Sequence, residues 1–381
     1  MTKKRVQNDK NKKRLLISIL LVLFIAFCGY CLVNNQFIKS LYYKYNDPVS
    51  ENNTVINLSD SSTPKFLTFK NLLIKYSGNN ISAYDIKGEN VDFNKYSEIT
   101  ALTSHYTNLN IKSCDNYIIA YDKGSTNLVL FNNDKIITQL SEKSNIIFAK
   151  PFNNGEFIVI AEDDDAKNQV ILYSSDGNQK FIWHSGVNNI VDAAFMDKTN
   201  KLVIITTELS TGVLNSKIIF FDIGSEAPYS ETIFENTFFT NVNFYSKNKL
   251  VVLSDMGTYY FNDSGQHKHT YSFDNKMLNS YKKINNGNMA FVFGSQSGNG
   301  SVVEVINKDG KLLGRYETEE AIISIDATKN HILLSGLRDV TLLTKRGRVI
   351  RTIEYNKDLQ QAFFLNNKFV FIANSEIRIV D

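Results

Sequence analysis

Hydrophobic positions along this 381-residue chain fall into two regimes. From Leu15 to Val33 nineteen residues run without a charge. At about 1.5 Å per residue a helix of that length reaches roughly 28 Å, close to the hydrocarbon thickness of a bilayer. Beyond residue 63 apolar residues come instead in short runs, each entered through an Asn- or Lys-rich turn. There are eight such runs: Lys70–Tyr76, Asp115–Tyr121, Asn154–Ile160, Asn200–Thr206, Asn248–Ser254, Asn286–Phe293, Asn330–Ser335 and Asn367–Ile372. Short continuous apolar runs of this kind predict strands buried on both faces.

A second pattern alternates with the first. An apolar residue, two or three polar ones and then Gly recur as Tyr84–Gly88, Tyr173–Gly177, Phe261–Gly265, Ile306–Gly310 and Leu343–Gly347. Degenerate copies stand at Phe131–Lys135 and Phe221–Ser225, and successive copies lie 47, 42, 48, 40, 45 and 37 residues apart. Gly88, Gly177, Gly265, Gly310 and Gly347 read as hairpin-turn residues that take a positive φ resisted by any Cβ. Each unit then holds strand A, an Asn-rich turn, strands B and C, a Gly turn and strand D. Four antiparallel strands per repeat of about 40–50 residues is the period of a β-propeller blade.

The expected fold is therefore all-β, a propeller of about eight four-stranded blades. A seven-bladed ring with one divergent repeat is the alternative. The eighth unit lacks its strand D, because the chain stops at Asp381 where the turn would fall. Thr54–Leu58 is an unclaimed strand-like segment upstream of the first unit. Ring closure removes exposed edges, so residues 54–58 are assigned to the outer strand of the last blade.

The polar stretch 42–63, with Asn46-Asp47-Pro48 and Ser59–Pro64, reads as a stalk or loop. The chain divides into a basic tail (1–14), a membrane-spanning helix (15–33), a linker (34–53) and the propeller (54–381). A retained anchor is favoured over a cleaved signal peptide, whose apolar region spans roughly 7–15 residues and ends in a small-x-small site. Nor does a small residue precede Cys28 or Cys31, as acylation would need. Lys12, Lys13 and Arg14 close a cluster of seven basic residues before the helix, with only Lys39 and Lys44 soon after it. The positive-inside rule then puts the N-terminus in the cytoplasm and the body outside the cell membrane.

Charge and composition refine this picture. The formal net charge is +3, but the first fourteen residues carry +6 and the rest of the chain −3. A slightly acidic body has no electrostatic footprint for nucleic acid. Phe and Tyr total 45, Asn reaches 45 and Pro only 4, a composition of strands joined by tight turns. With Cys28 and Cys31 inside the apolar run, Cys114 is the one body cysteine, which rules out a disulfide framework and a Cys-based metal site.

Residues Ile171–Trp183, reading strand, Asp176-Gly177 turn and a strand closing on Trp, resemble the repeat of quinoprotein-like propellers. The basic tail, single anchor and repetitive Asn/Lys-rich body resemble an uncharacterised family of membrane-anchored PQQ/WD40-like propellers of low-GC Gram-positive bacteria. The repeat resemblance covers about 55–381 and implies a fold; that family implies no biochemical activity.

No catalytic constellation is legible. One Trp cannot supply the repeated Trp lock of catalytic quinoproteins, so no PQQ or other cofactor is expected. His267-Lys268-His269 could direct two rings to one strand face, but two ligands are too few for zinc. Glu162-Asp163-Asp164-Asp165 is the densest acidic run and a weak Ca²⁺ candidate through Asp163, Asp164 and Asp165, although the alternating spacing of a Ca²⁺ loop is absent. Gly294–Gly298 has Gln296 where a nucleophile elbow has Ser, and Gly298-Asn299-Gly300 follows no βαβ unit. Lys345-Arg346-Gly347-Arg348 with Arg351 reads as a solvated basic turn. The functional expectation is a non-catalytic binding or scaffold module of the cell envelope, with lipid around residues 15–33 and a protein or envelope-polymer partner. A propeller enzyme acting on surface glycans, with residues dispersed round the channel, is the alternative.

Overall fold

In the computed structural model the described residues are 54–58, 64–89, 94–132, 135–210, 212–246, 249–284, 287–294 and 300–380. The apolar run 15–33, its flanking residues Lys12, Lys13 and Arg14, and the loop 295–299 lie outside them. Among the described residues no helix is long and apolar enough to cross a membrane.

Strand β1 (Thr54–Asn57) is followed by eight successive blades. Blade 1 holds β2 (Lys65–Phe69), β3 (Leu72–Ser77), β4 (Asn80–Tyr84) and a helix, α1 (Asn94–Thr103). Blade 2 holds β5 (Leu109–Ser113), β6 (Ile118–Asp122), β7 (Asn127–Phe131) and β8 (Ile136–Ser141). Blade 3 comprises β9 (Ile146–Pro151), β10 (Phe157–Glu162), β11 (Asn168–Tyr173) and β12 (Gln179–Ser185). Blade 4 comprises β13 (Asn189–Met196), β14 (Lys201–Ser210), β15 (Val213–Asp222) and β16 (Ser230–Glu235). In blade 5 these are β17 (Phe239–Ser246), β18 (Lys249–Ser254), β19 (Gly257–Asn262) and β20 (His267–Ser272). In blade 6 they are β21 (Leu278–Lys283), β22 (Met289–Gly294), β23 (Ser301–Ile306) and β24 (Leu312–Thr318). Blade 7 is built from β25 (Ser324–Ala327), β26 (His331–Ser335), β27 (Asp339–Thr344) and β28 (Val349–Glu354). Blade 8 is built from β29 (Leu359–Leu365), β30 (Lys368–Ala373) and β31 (Glu376–Val380).

Blade 8 takes its fourth strand from the other end of the domain. β1 pairs antiparallel with β31, Thr54 opposite Ile379, Val55 opposite Arg378 and Ile56 opposite Ile377. Eight sheets exclude the seven-bladed alternative. The expected four strands fail in one blade: the sheet of blade 1 has three, and α1 takes the outer position. The physical reason is visible at the β4 edge. Thr100 and Thr103 of α1 donate their hydroxyls to the backbone carbonyls of Ile81 and Asn79, both at 3.1 Å. Helix side chains thereby satisfy edge carbonyls that would otherwise pair with a fourth strand or another chain.

The continuous apolar runs are the B strands, and their neighbours explain them. Successive B residues point to opposite faces, and both faces are covered by another blade. On β6, Ile118 packs into the core shared with blade 1 while Ile119 packs into the core shared with blade 3. On β14, Leu202 and Ile204 face blade 3 while Val203 and Ile205 face blade 5. The eighth interface joins Leu73 of β3 to Val370, Ile377 and Ile379 of blade 8 and completes the ring. At about 1.5–3 kcal/mol for each fully buried large aliphatic or aromatic side chain, these eight interfaces are the main stabilising term.

Polar side chains add a directional stitch between blades. Asn168, Ser216 and Ser301, on strand C of blades 3, 4 and 6, accept the backbone N–H groups of Ile190 and Phe239 in the next blade and of Ile322 in the link leading into it, at 2.9, 3.0 and 2.9 Å.

Candidate functional site

Strand direction gives the ring two unlike ends. The A–B and C–D turns lie at one end, called here the turn end. The B–C hairpins and interblade links lie at the other, the link end. At the turn end the C–D glycines Gly88, Gly177, Gly265, Gly310 and Gly347 have φ of 76°, 84°, 81°, 74° and 75°. Each donates its N–H three residues back, to the carbonyls of Asp85, Ser174, Asn262, Asn307 and Thr344, at 2.9–3.1 Å. The polar residue three before the glycine is also used: Asn307 Oδ1 accepts from the N–H groups of Asp309 and Lys311, both at 2.9 Å. In five of the hairpins the strand C–D register shifts just before the turn.

That shift corrects the expectation for the two histidines. The bulge between Tyr260 and Phe261 puts His269 opposite Tyr260 and His267 opposite Phe261. Tyr260 belongs to the core shared with blade 6 and Phe261 to the core shared with blade 4. An extra residue in one strand reverses side-chain alternation, so the rings point to opposite faces. His269 stacks on Tyr260 at 4.4 Å, and burial holds its pKa below the usual histidine value.

Around the axis at the turn end is a cavity of about 1040 Å³, lined by residues of seven blades. Lys70, Lys150, Lys282 and Lys283 contribute its cationic groups, and Asp115 and Asp326 its anionic ones. Two of the lysines are committed. Lys150 Nζ bonds both carboxylate oxygens of Asp192 on β13 at 2.8 and 2.9 Å, while Asp192 also accepts from Val242 N at 2.9 Å and Asn241 Nδ2 at 2.8 Å. Lys282 meets Asp326 on β25 at 2.7 Å, and Asp326 accepts from Phe364 N at 2.9 Å. In each case an aspartate takes a lysine from the blade before and a backbone N–H from the blade after. Asp192 and Asp326 are 2% and 4% exposed, so these are buried clamps across three blades.

Lys70, Lys112 and Lys283 differ. No carboxylate among the described residues lies within ion-pair distance of any of them. Lys70 and Lys112 place their ammonium groups over the rings of Phe69 and Phe148, both at 5.6 Å. Burial inside the ring pulls the pKa of Lys112 down, with Lys150 and Lys65 adding repulsion and Asp192 opposing it. Burial does the same to Lys283, with repulsion from Lys150 and a counter-pull from Asp115. Cys114 also lines the cavity, where burial pushes its thiol pKa up. Asp115 is held by Asn153 Nδ2 at 3.1 Å.

The link end is different in character. Val187, Leu209, Met256, Met277, Ile323 and Leu337 are all exposed there, the first, second and fourth at 76%, 72% and 73%. They sit on B–C hairpins and interblade links of blades 3–7. Acidic groups stand between them, among them Glu208, Asp255, Asp274, Glu319 and Glu354. A groove of about 840 Å³ between blades 6, 7 and 8 is lined by Ile323, Leu337, Glu320 and Asp339. Burial, then the Glu320 carboxyl beside it, pushes Asp339 up to about 6. The turn end of blades 6 and 7 instead exposes Lys308, Lys311, Lys329, Lys345, Arg346 and Arg348. The slightly acidic net charge of the body thus hides a separation of charge along the ring axis.

The sequence candidates fall outside the axial cavity. Asp163, Asp164 and Asp165 form the B–C hairpin of blade 3; Asp163 bonds the His184 ring and accepts Asp165 N at 2.9 Å. Among the described residues no three His, Cys, Asp or Glu side chains gather as a metal cage. Trp183 packs on Phe221 of the next blade at 5.8 Å, and Arg351 lies over Phe369 at 4.9 Å. Sequence reasoning missed the axial clamps, although a signal existed. Lys150 and Asp192 are 42 residues apart and Lys282 and Asp326 are 44, each about one repeat, and Lys150 and Asp192 each interrupt an apolar A strand.

Comparison with known structures agrees with this architecture. The C-terminal WD40 domain of Sif2 superposes with a TM-score of 0.58 at 13% identity, over 85% of this chain and 98% of that one. BamB from Moraxella catarrhalis gives 0.50 at 12% identity, over 86% and 98%. The quinohemoprotein alcohol dehydrogenase ADHIIG from Pseudomonas putida HK5 gives 0.53 at 7% identity, over 87% and 76%. At these identities the likeness is one of fold, WD40-like and PQQ-like alike. No curated protein sequence matches the chain. A family model does, across residues 42–381, and the chain belongs to that family, the family of unknown function DUF5711.

Proposed function

We propose that this protein is a non-catalytic binding module, anchored in the cell membrane by residues 15–33, whose extracytoplasmic propeller engages a protein partner through its link end. The carrying observation is the set of six exposed apolar tips set among acidic groups on blades 3–7. Ile323 and Leu337 share one groove, and the concentration of strongly exposed apolar side chains at one end of the ring supports an interaction site there. Its acidic rim favours a partner presenting apolar and basic side chains over an anionic envelope polymer.

Where the chain enters the ring supports the same reading. Thr54 sits at the turn end, against Gly88, where an added Cβ would lie 2.4 Å from Thr54 Cγ2. A tether arriving there leaves the link end unobstructed. Support for binding over catalysis comes from the axial carboxylates. A proton-transferring carboxylate on the axis would favour an enzyme, whereas Asp192 and Asp326 serve as interblade clamps.

The test is co-purification after gentle detergent extraction, comparing the native chain with a Leu209→Glu/Leu337→Glu variant. The partner should be held by the native chain and by a Lys308→Glu/Lys345→Glu control, and lost from the tip variant. An unchanged set of co-purifying proteins with the tips substituted would remove the link end as the binding surface.

A further inference from the structure

We infer that the axial channel, with its cavity at the turn end, is an oxyanion-binding site, and that Lys70 and Lys283 of the cavity wall, with Lys112 next to the lining residue Ser113 on its strand A, hold a phosphate-type ligand there. This site lies at the opposite end from the proposed partner surface and does not depend on it.

The first observation is contrast around one axis. Lys150 and Lys282 come from strand A, as do Lys112 and Lys283, yet only the first two meet buried aspartates. If the lysines served only to rivet the ring, each would be expected to have such a partner. The second is placement. Lys70, Lys112 and Lys283 come from blades 1, 2 and 6, so the groups approach the axis from opposite sides of an eight-bladed ring. Lys150 lies within electrostatic range of both Lys112 and Lys283. The third is electrostatic cost. The side chains of Lys70, Lys112 and Lys283 are open to solvent, but ammonium groups crowded round one axis repel one another, and an anion placed among them relieves that cost. The charged groups facing them are Asp115, Asp192, Asp326, Lys65, Lys150 and Lys282; Asp192 and Asp326 are already shared with lysines and backbone N–H groups. The fourth is size. A volume of about 1040 Å³ admits a multi-oxyanion ligand as well as a single phosphate.

A compact ammonium acts on phosphate as a point charge, without the bidentate demand of arginine, so the chemistry selected is charge density. Both a lipid headgroup phosphate and a soluble phosphate ester or polymer carry it. The cavity opens at the end where the tether enters, which puts both within reach.

The experiment titrates the full-length chain with inorganic tripolyphosphate by calorimetry, in nanodiscs of phosphatidylcholine. Saturable binding is expected, weakened about tenfold or more in Lys112→Met/Lys283→Met. It should change less than about twofold in Lys345→Met/Arg346→Met, which removes charge at the same end but off the axis. Near pH 9 binding should also draw protons from the buffer, because the anion raises the depressed lysine pKa values, and that uptake should vanish in the double variant. Repeating the titration in nanodiscs containing phosphatidylglycerol separates the sources. Tenfold weaker tripolyphosphate binding there assigns the site to a headgroup, and unchanged binding assigns it to a soluble ligand. Absence of binding by the native chain overturns the proposal. So does binding that survives the axial substitutions while failing with the rim pair. Native-like unfolding of the double variant keeps the comparison meaningful.

Discussion

The Lys150 ammonium bridges both oxygens of Asp192 one blade further on, and Lys282 likewise reaches one blade further on to Asp326 Oδ1. Both aspartates also accept a backbone N–H from the following blade. Removing one member of a buried, hydrogen-bonded pair leaves the other charge unpaired and costs about 3–5 kcal/mol. Asp192→Ala should therefore lower the unfolding free energy by about that amount in urea titrations. Lys150→Met/Asp192→Leu should recover part of the loss, since it removes both charges. Equal stability of Asp192→Ala and the native chain would show that the clamp contributes nothing.

Ring closure makes a register-specific prediction. Leu58 N donates to Ser375 O at 2.9 Å, so residues 58 and 375 form a hydrogen-bonded pair and 55 and 378, three steps along, a non-hydrogen-bonded one. Side chains are closer at non-hydrogen-bonded positions. Val55→Cys/Arg378→Cys, in a chain with Cys28, Cys31 and Cys114 replaced by Ser, should cross-link within one molecule on oxidation. The pair 56 and 378, off register by one, should not. Equal cross-linking of both would mean that β1 slides on β31.

Helix α1 protects an edge, and losing its two hydroxyl bonds should show as association as well as instability. Thr100→Val/Thr103→Val leaves the carbonyls of Ile81 and Asn79 without those donors. A cost of about 1–3 kcal/mol and a concentration-dependent rise in light scattering are expected. A monodisperse variant with native stability would deny the helix that role.

Alkaline pH should unfold the domain through its tyrosines. Burial, with the Asp122 charge adding, pushes Tyr106 up to about 12, and burial takes Tyr121 to about 12 as well. Folded-state values above the unfolded value of 10 stabilise fully below pH 10, and that contribution is lost as pH rises toward 12. Unfolding midpoints followed with tyrosinate absorbance should fall through that window, less steeply in Tyr106→Phe. A midpoint flat across it would contradict the burial of these phenols.

Asp339 gives the opposite window. Its carboxyl is raised from 3.8 to about 6, so the folded state retains a proton that the unfolded chain releases. The advantage is complete below the unfolded value and gone once pH exceeds the folded one. At neutral pH the burial of the Asp339 carboxylate, with Glu320 beside it, is a cost, and Asp339→Asn should raise stability by about 1–2 kcal/mol, a figure reduced for solvent screening. Near pH 4 the gain should disappear. A gain independent of pH would point to packing, not charge.

The period of the turns and the eight Asn-led apolar runs determined the blade count and the closure by residues 54–58, because both rest on local chemistry. Gly177 needs its turn wherever the chain goes, and Ile118-Ile119 need cover on both sides. The first blade escaped that logic. Its Gly88 turn is intact, but residues 94–103 beyond it form α1, whose place is fixed by the packing of Ile99 and Leu102 into the core and by the carbonyls of Ile81 and Asn79 earlier in the chain. The histidines escaped it too, because a one-residue bulge at Tyr260-Phe261 sends His267 and His269 to opposite faces. Most of all, the axis belongs to tertiary structure. Lys112 and Lys283 are 171 residues apart, and only the closing of the ring brings them into one electrostatic field. The same closure sends Val187, Leu209 and Leu337 to one end and Lys308 and Lys345 to the other, a polarity that a net charge of −3 on the body sums away.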